Sequence, residues 1–265
     1  MVPEADLFLR VEHLSHSFGG FKAVDDCTFE IARGSISALI GPNGAGKSTA
    51  VGLIAGALKV QSGRVYFDGQ DVTRLPAYKV ARRGLLRTYQ VSREFPLLTV
   101  MENLLVPPPD QRGESLLNAL FRPSVGRRQD AALASRAVDV LETYGLLPLR
   151  DEYAGNLSGG EKRLLELARA EMANPKFMLL DEPMAGINPA LIARLDGHIR
   201  RLREQAGITF LLVEHNLDVV ERICDQVVVM ASGRTLAEGS MAELRRNPEV
   251  VRAYLGGGLD ERAVG

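Results

Sequence analysis

The chain has 265 residues, 46% hydrophobic and 25% charged, which suits a soluble globular protein that builds its core without disulfide staples. A formal net charge of −1 supplies no global basic field and argues against a nucleic-acid partner. Cys27 and Cys224 lie far apart without metal-type spacing, Met1 to Arg10 lacks the apolar run of a secretion signal, and no stretch reaches the roughly 18–20 apolar residues of a membrane span. The expectation is a protein of the reducing cytoplasm that reaches a membrane, if at all, by docking.

In chain order, Leu7 to Leu14, Cys27 to Ile31 and Ser35 to Ile40 read as short apolar strands. The third runs into a glycine-rich loop, after which a helix is expected over Lys47 to Ala57. Gly63 and the Asp68-Gly69 turn bracket a strand over Arg64 to Phe67, and Leu86 to Tyr89 reads as another. Val100 to Leu105 is helical until Pro107-Pro108-Pro109 breaks it. A loosely patterned basic insertion, Gly113 to Arg128, follows. Ala134, Val138, Leu141 and Tyr144 then recur at helical spacing, and a further helix follows Ser158. Phe177 to Leu180 is a buried strand, and Ile192, Leu195, Ile199 and Leu202 mark an amphipathic helix. Thr209 to Val213, Leu217 to Ile223 and Gln226 to Met230 read as strand, helix and strand, and Met241 to Leu255 as a final helix before Gly256-Gly257-Gly258. Strands alternating with helices predict an α/β fold with a largely parallel sheet covered on both faces. The expected organisation is a catalytic core over about 1–90 and 173–240, a helical subdomain over about 91–172, and a helix and tail over 241–265.

Three motifs carry chemistry. Gly41-Pro42-Asn43-Gly44-Ala45-Gly46-Lys47-Ser48-Thr49 fits the phosphate-loop pattern between a strand and a helix. Its glycines let backbone N–H groups curl around phosphate oxygens, and the helix start adds its dipole. Lys47 supplies a point charge to the β- and γ-phosphates and the Ser48 hydroxyl reaches Mg²⁺. In the second motif, the apolar run from Phe177 ends in Asp181 and Glu182, which places two carboxylates at the rim of a parallel strand. Asp181 can hold Mg²⁺ and Glu182 can act as general base on water; a plain helix start is the alternative use of such a pair. In the third, Leu157-Ser158-Gly159-Gly160-Glu161 opens a helix with a hydroxyl and bare N–H groups, either a second anion site or a simple N-cap.

These motifs, in this order and spacing, resemble the nucleotide-binding subunits of ABC transporters from about Leu7 to Leu255. The resemblance implies a P-loop ATPase of the ABC type, with a mixed sheet core, an antiparallel β subdomain and a helical subdomain. It implies ATP and Mg²⁺ as cofactors and a head-to-tail dimer, with a copy or a sister ATPase, in which Leu157 to Glu161 closes in trans on ATP held by the partner's phosphate loop. It implies membrane permease partners and a place on the inner face of the cell membrane. Residue by residue, Gln90 resembles the glutamine that contacts Mg²⁺ and links ATP to the partner, and His215 the histidine at the γ-phosphate. Phe18 stands where an aromatic stacks on adenine, with Val24 against the same ring. His13, His16 and His198 match nothing and are expected to be surface or structural residues. Glu161 stands where many relatives carry Gln, and Asn188 where an Asp-containing loop is common; with Glu182 present, hydrolysis is expected.

The stretches Phe18-Gly19-Gly20, Arg87-Thr88-Tyr89-Gln90, Glu102-Asn103-Leu104-Leu105, Asp181 to Pro189 and Val251 to Gly256 are similar to subunits of branched-chain amino acid importers, and the insertion from Pro107 to Arg128 fits the longer of their two ATPases. Importers of urea or short amides and a lipopolysaccharide exporter share these features. A soluble ABC ATPase acting on DNA or ribosomes is disfavoured by the single uninterrupted cassette and the absence of a basic tract. A non-hydrolysing regulatory subunit differs in releasing no phosphate, and a P-loop kinase leaves Leu157 to Glu161 without a purpose.

Overall fold

A computed structural model describes residues 6–88, 94–109 and 123–255, with the backbone alone for 123–128 and 255. Two compact units emerge. The first joins Met1–Gln90, Lys176–Ala185 and Ile199–Gly265; the second joins Val91–Pro175 and Gly186–His198.

The first unit holds two sheets. β1 (Leu7–Phe18) and β2 (Phe21–Ala32) form a long antiparallel hairpin whose other edge continues through β4 (Ser62–Phe67) and β5 (Gln70–Asp71), in the order β2-β1-β4-β5. Both hairpin strands run further than their apolar stretches. Alternation of buried and exposed side chains carries them on, as a one-face-covered antiparallel sheet allows.

The second sheet contains β3 (Ile36–Ile40), β6 (Leu85–Arg87), β7 (Phe177–Asp181), β8 (Thr209–Val213), β9 (Gln226–Ala231) and β10 (Arg234–Gly239), ordered β10-β9-β3-β8-β7-β6. All its pairings are parallel except β9 with β10. Every residue of β3, β7 and β8 is buried, because helices and the other sheet cover both faces. One apolar cluster packs Phe8, Val24, Phe29, Phe67 and Phe177 with α1 (Lys47–Ile54). Another sets Ile40 and Val229 against α7 (Leu217–Ile223), α8 (Met241–Leu244) and α9 (Pro248–Leu255), labels that count the helices in chain order.

The second unit is helical. α3 (Val100–Leu105), α4 (Pro123–Thr143), α5 (Gly159–Met172) and the start of α6 (Pro189–Ala206) supply it, α2 (Ala77–Arg82) being in the first. Tyr144 is fully buried, donates to Glu171 at 2.9 Å and stacks on His198 at 4.1 Å, which gives His198 its structural place.

Several expectations need correction. The helix from Lys47 ends at Ile54, three residues early, because Gly56 takes a φ of +68° and Ala57 and Leu58 both donate to the Gly52 carbonyl. The strand expected over Leu86–Tyr89 is described only as Leu85–Arg87, with Tyr89 outside the described residues. Met241 to Leu255 is two helices: Asn247 accepts from Glu249 N, and Pro248 opens the second, lacking only an N–H that has no partner in a first turn. β10, β5 and α2 lay outside the sequence reading altogether.

Candidate functional site

Three neighbouring parallel strands deliver the chemical groups. β3 runs into the phosphate loop, β7 ends in Asp181 and Glu182, and β8, which lies between them, leads to His215. All three chains leave the sheet at the same, carboxyl, edge, where open α/β sheets bind ligands.

The loop geometry depends on glycine at two points. Gly41 has a φ of +150°, and a Cβ there would lie 2.1 Å from the Met230 carbonyl oxygen. Gly46 has a φ of +95°, and its Cβ would lie 2.3 Å from the Ala23 carbonyl oxygen. Gly46 caps α1, whose first residue is Lys47. The Lys47 ammonium folds back, donating to Gly41 O at 2.7 Å and Pro42 O at 3.1 Å. It is 9% exposed; desolvation holds its pKa below the ordinary lysine value, while the Glu182 and Asp181 carboxylates oppose that shift. Asn43, Gly44 and Ser48 are exposed, Pro42 and Thr49 half-buried, and Ala45 buried.

Across from the loop, Asp181 is nearly buried and accepts from Arg87 Nη2 at 2.8 Å. Glu182 takes a φ of +50° while its N–H donates to Val213 O at 2.9 Å, so the carboxylate turns out of the strand under backbone strain. His215 Nδ1 stands 4.0 Å from Glu182 Oε1. Behind them Glu214 is 1% exposed and accepts from Met184 N at 3.0 Å and His215 N at 3.3 Å. Its desolvation raises the pKa above the usual carboxylate value. Glu214 thereby ties the chain after Glu182 to the chain that carries His215.

Phe18 is 51% exposed at the tip of the β1–β2 hairpin, with His16 edge-on at 4.7 Å. Val24 is fully buried in the core, so it offers no surface to an adenine ring, contrary to expectation. Gln90 lies outside the described residues.

In the helical unit, Ser158 is the N-cap of α5 in a capping box. Glu161 N donates to Ser158 Oγ at 3.4 Å, while Ser158 N and Oγ donate to Glu161 Oε2 at 2.8 and 2.6 Å. These bonds hold the Glu161 pKa below the usual carboxylate value. Leu157 is buried beneath the exposed Ser158 and Gly159, and Gly160 rests on Leu191. Asn188 accepts from Leu191 N at 2.9 Å and so starts α6 as an aspartate in its place would.

Arg87 and Glu214 hold site positions that the sequence did not reveal. Each is a charged residue abutting a buried apolar strand, and such a charge needs a partner from elsewhere in the chain.

Oxygen donors suit a hard cation. The Ser48 hydroxyl and the Asp181 carboxylate are two such donors, and among the described residues no cluster of three or more His, Cys, Asp or Glu competes for a metal. Mg²⁺ bound through few protein oxygens, with phosphates and water completing its shell, fits that set.

Residues 24–185 match the ABC transporter family, and residues 234–260 match a family described as branched-chain amino acid ATP-binding cassette transporter. The probable branched-chain amino acid transport ATP-binding protein LivG of Archaeoglobus fulgidus is 38% identical over 250 residues, covering 94% of this chain and 95% of the relative. The high-affinity branched-chain amino acid transport ATP-binding protein LivG of Escherichia coli K12 is 41% identical over 249 residues, covering 94% and 97%. A crystal structure of a nucleotide-free ATP-binding cassette from an ABC transporter is similar at a TM-score of 0.80 and 38% identity, covering 94% of this chain and 98% of that one. A cassette in its ADP conformation is similar at 0.79 and 37%, covering 94% and 99%.

Proposed function

This chain belongs to the ABC transporter ATP-binding family, and from that premise we propose that it hydrolyses ATP to power import of branched-chain amino acids through separate permease subunits. The observation that carries the catalytic reading is the convergence of Lys47, Asp181–Glu182 and His215 at one edge of β3, β8 and β7. The relatives' names and the match over 234–260 support the solute.

In this reading the phosphate loop from Gly41 to Thr49 wraps the phosphates of ATP. Lys47 leaves its two backbone carbonyls, which are weak partners for an ammonium, and turns to the β- and γ-phosphates. Phe18 stacks on the base. Ser48 and Asp181, with Gln90, would hold Mg²⁺, which supplies charge neutralisation to the β- and γ-phosphate oxygens. Glu182 accepts a proton from the water that attacks the γ-phosphorus, and His215 steadies the γ-phosphate and the Glu182 carboxylate together. Ser158, Gly159 and Gly160 serve the ATP of a partner subunit: the Ser158 hydroxyl exchanges Glu161 for a phosphate oxygen, a stronger acceptor. Hydrolysis removes the shared γ-phosphate and lets the subunits part.

Among the described residues no helix is long and apolar enough to cross a membrane, so the membrane contact is a docking surface. In the helical unit Leu97 is 85% exposed, beside the half-exposed Phe95 and Tyr153. The fully buried Asn103 fastens this turn: it accepts from Phe95 N at 2.9 Å and donates to Phe95 O, Leu98 O and Thr99 O. A rigid turn with a bare leucine at its tip suits the grip on a permease helix.

Glu182→Gln is the direct test of catalysis. It should bind ATP, release no phosphate and accumulate as a dimer by light scattering; normal phosphate release would remove Glu182 as the base. For the solute, vesicles carrying the permeases and this subunit should take up labelled leucine on ATP addition, and uptake of urea in its place would reassign it.

A further inference from the structure

We infer that Arg87 is a built-in counter-ion for Asp181, standing in for the metal before Mg²⁺ arrives and limiting how strongly nucleotide binding depends on that ion. The inference rests on the proposed role of Asp181 as the Mg²⁺ carboxylate. Arg87 is the last residue of β6, the edge strand beside β7, and its backbone is registered with Leu179. Thr88 N donates to Leu179 O at 2.9 Å and anchors the strand end. From there Nη2 donates to Asp181 Oδ2 at 2.8 Å, with the two side chains only 14% and 8% exposed.

The guanidinium also lies beside the phosphate-loop helix. A Cβ at Gly52 of α1 would stand in ordinary contact with Arg87 Nη1, at 3.5 Å, while Nη2 bonds the carboxylate of β7. The planar fork of guanidinium donors suits a carboxylate partner. A carboxylate buried as deeply as Asp181 needs a cation at all times, since removing one member of a buried pair leaves the other uncompensated. Arg87 meets that need before nucleotide binds. It also offsets part of the negative field that Asp181 and Glu182 present to an incoming polyphosphate. Without Arg87, Asp181 loses its hydrogen-bonded cation and keeps only the more distant field of Lys47 until Mg²⁺ arrives with the nucleotide.

The test is a titration of the full chain with a fluorescent ADP analogue, in EDTA and in Mg²⁺. For Arg87→Met, the ratio of Kd in EDTA to Kd in Mg²⁺ should rise about tenfold over the parent chain, and Arg87→Lys should fall between. If Arg87 serves packing alone, both affinities fall together and the ratio stays put, which would overturn the inference. Asp181→Asn separates this from the underlying assignment. If it keeps the parent's metal dependence, Asp181 is not the Mg²⁺ carboxylate and the assignment itself fails. If it loses metal dependence while Arg87→Met leaves the ratio unmoved, only the counter-ion inference fails. Should Arg87→Met not fold, the neutral pair Arg87→Met with Asp181→Asn decides: recovered folding marks the uncompensated carboxylate as the defect, whereas a pair that still fails to fold marks packing and overturns the inference.

Discussion

Glu214 shows what one buried charge can do. Its carboxylate accepts from Met184 N and His215 N and so holds two site segments in register. Burial raises its folded-state pKa above the ordinary 4.5, so the native protein keeps this proton longer than the unfolded chain does. The native state therefore binds more protons as pH rises from the unfolded value towards the folded one, and stability falls across that window. Glu214→Gln keeps an oxygen for Met184 N and has no proton to lose. Its urea-unfolding stability should vary less with pH above about 4.5 than the parent's. Glu214→Ala leaves the Met184 N–H without its acceptor and should cost about 1–3 kcal/mol by the same measurement. A flat pH profile in the parent chain would contradict the raised pKa.

At the scale of elements, the strands were legible wherever chemistry and burial coincide. β3, β7 and β8 are buried throughout, so their apolar runs stand out in the sequence and their ends mark the site. β10 has no such run: Arg234 to Gly239 is an edge strand without one fully buried residue, and its pairing with β9 decides its conformation. The same cause hid the Arg87–Asp181 pair, whose members are 94 residues apart and meet only through the order of strands. The capping box of α5 was half legible. Ser158 with Glu161 three residues on is its sequence signature, whereas the return bond from the hydroxyl to the carboxylate is a structural finding. Ser158→Ala should cost about 1 kcal/mol in thermal unfolding through the lost cap. It should also weaken ATP-driven dimerisation, whereas Glu161→Gln, which keeps both acceptor roles, should leave the helix intact. Gly41→Ala meets the Met230 carbonyl and a φ that L-residues avoid, so nucleotide binding should vanish in the same titration. Asn103→Ala, which strips the fastening from residues 95–99, should speed amide exchange there and reduce co-purification with permeases while ATP binding persists.

For the molecule as a whole, the two helix starts proposed as anion sites pose a problem of number. One triphosphate on the phosphate loop would already be met by Lys47, Ser48 and the α1 amides, yet Ser158 to Gly160 belongs to a separate compact unit and would offer another set of donors. A head-to-tail pair of subunits gives every donor a use, because each nucleotide then takes one loop from either chain. That arrangement has a quantitative consequence. Lys47→Ala disables a chain's own phosphate loop but leaves its Ser158 loop whole; Ser158→Arg does the reverse. Each variant alone should release almost no phosphate. Mixed in equal amounts, half the dimers are hybrids, and each hybrid has one composite site with both halves intact. The mixture should then recover roughly a quarter of the parent rate, or less where the two sites must fire together. A site complete within one subunit predicts no recovery at any mixing ratio, so phosphate release from the mixture distinguishes one chain from two as the unit that cleaves ATP.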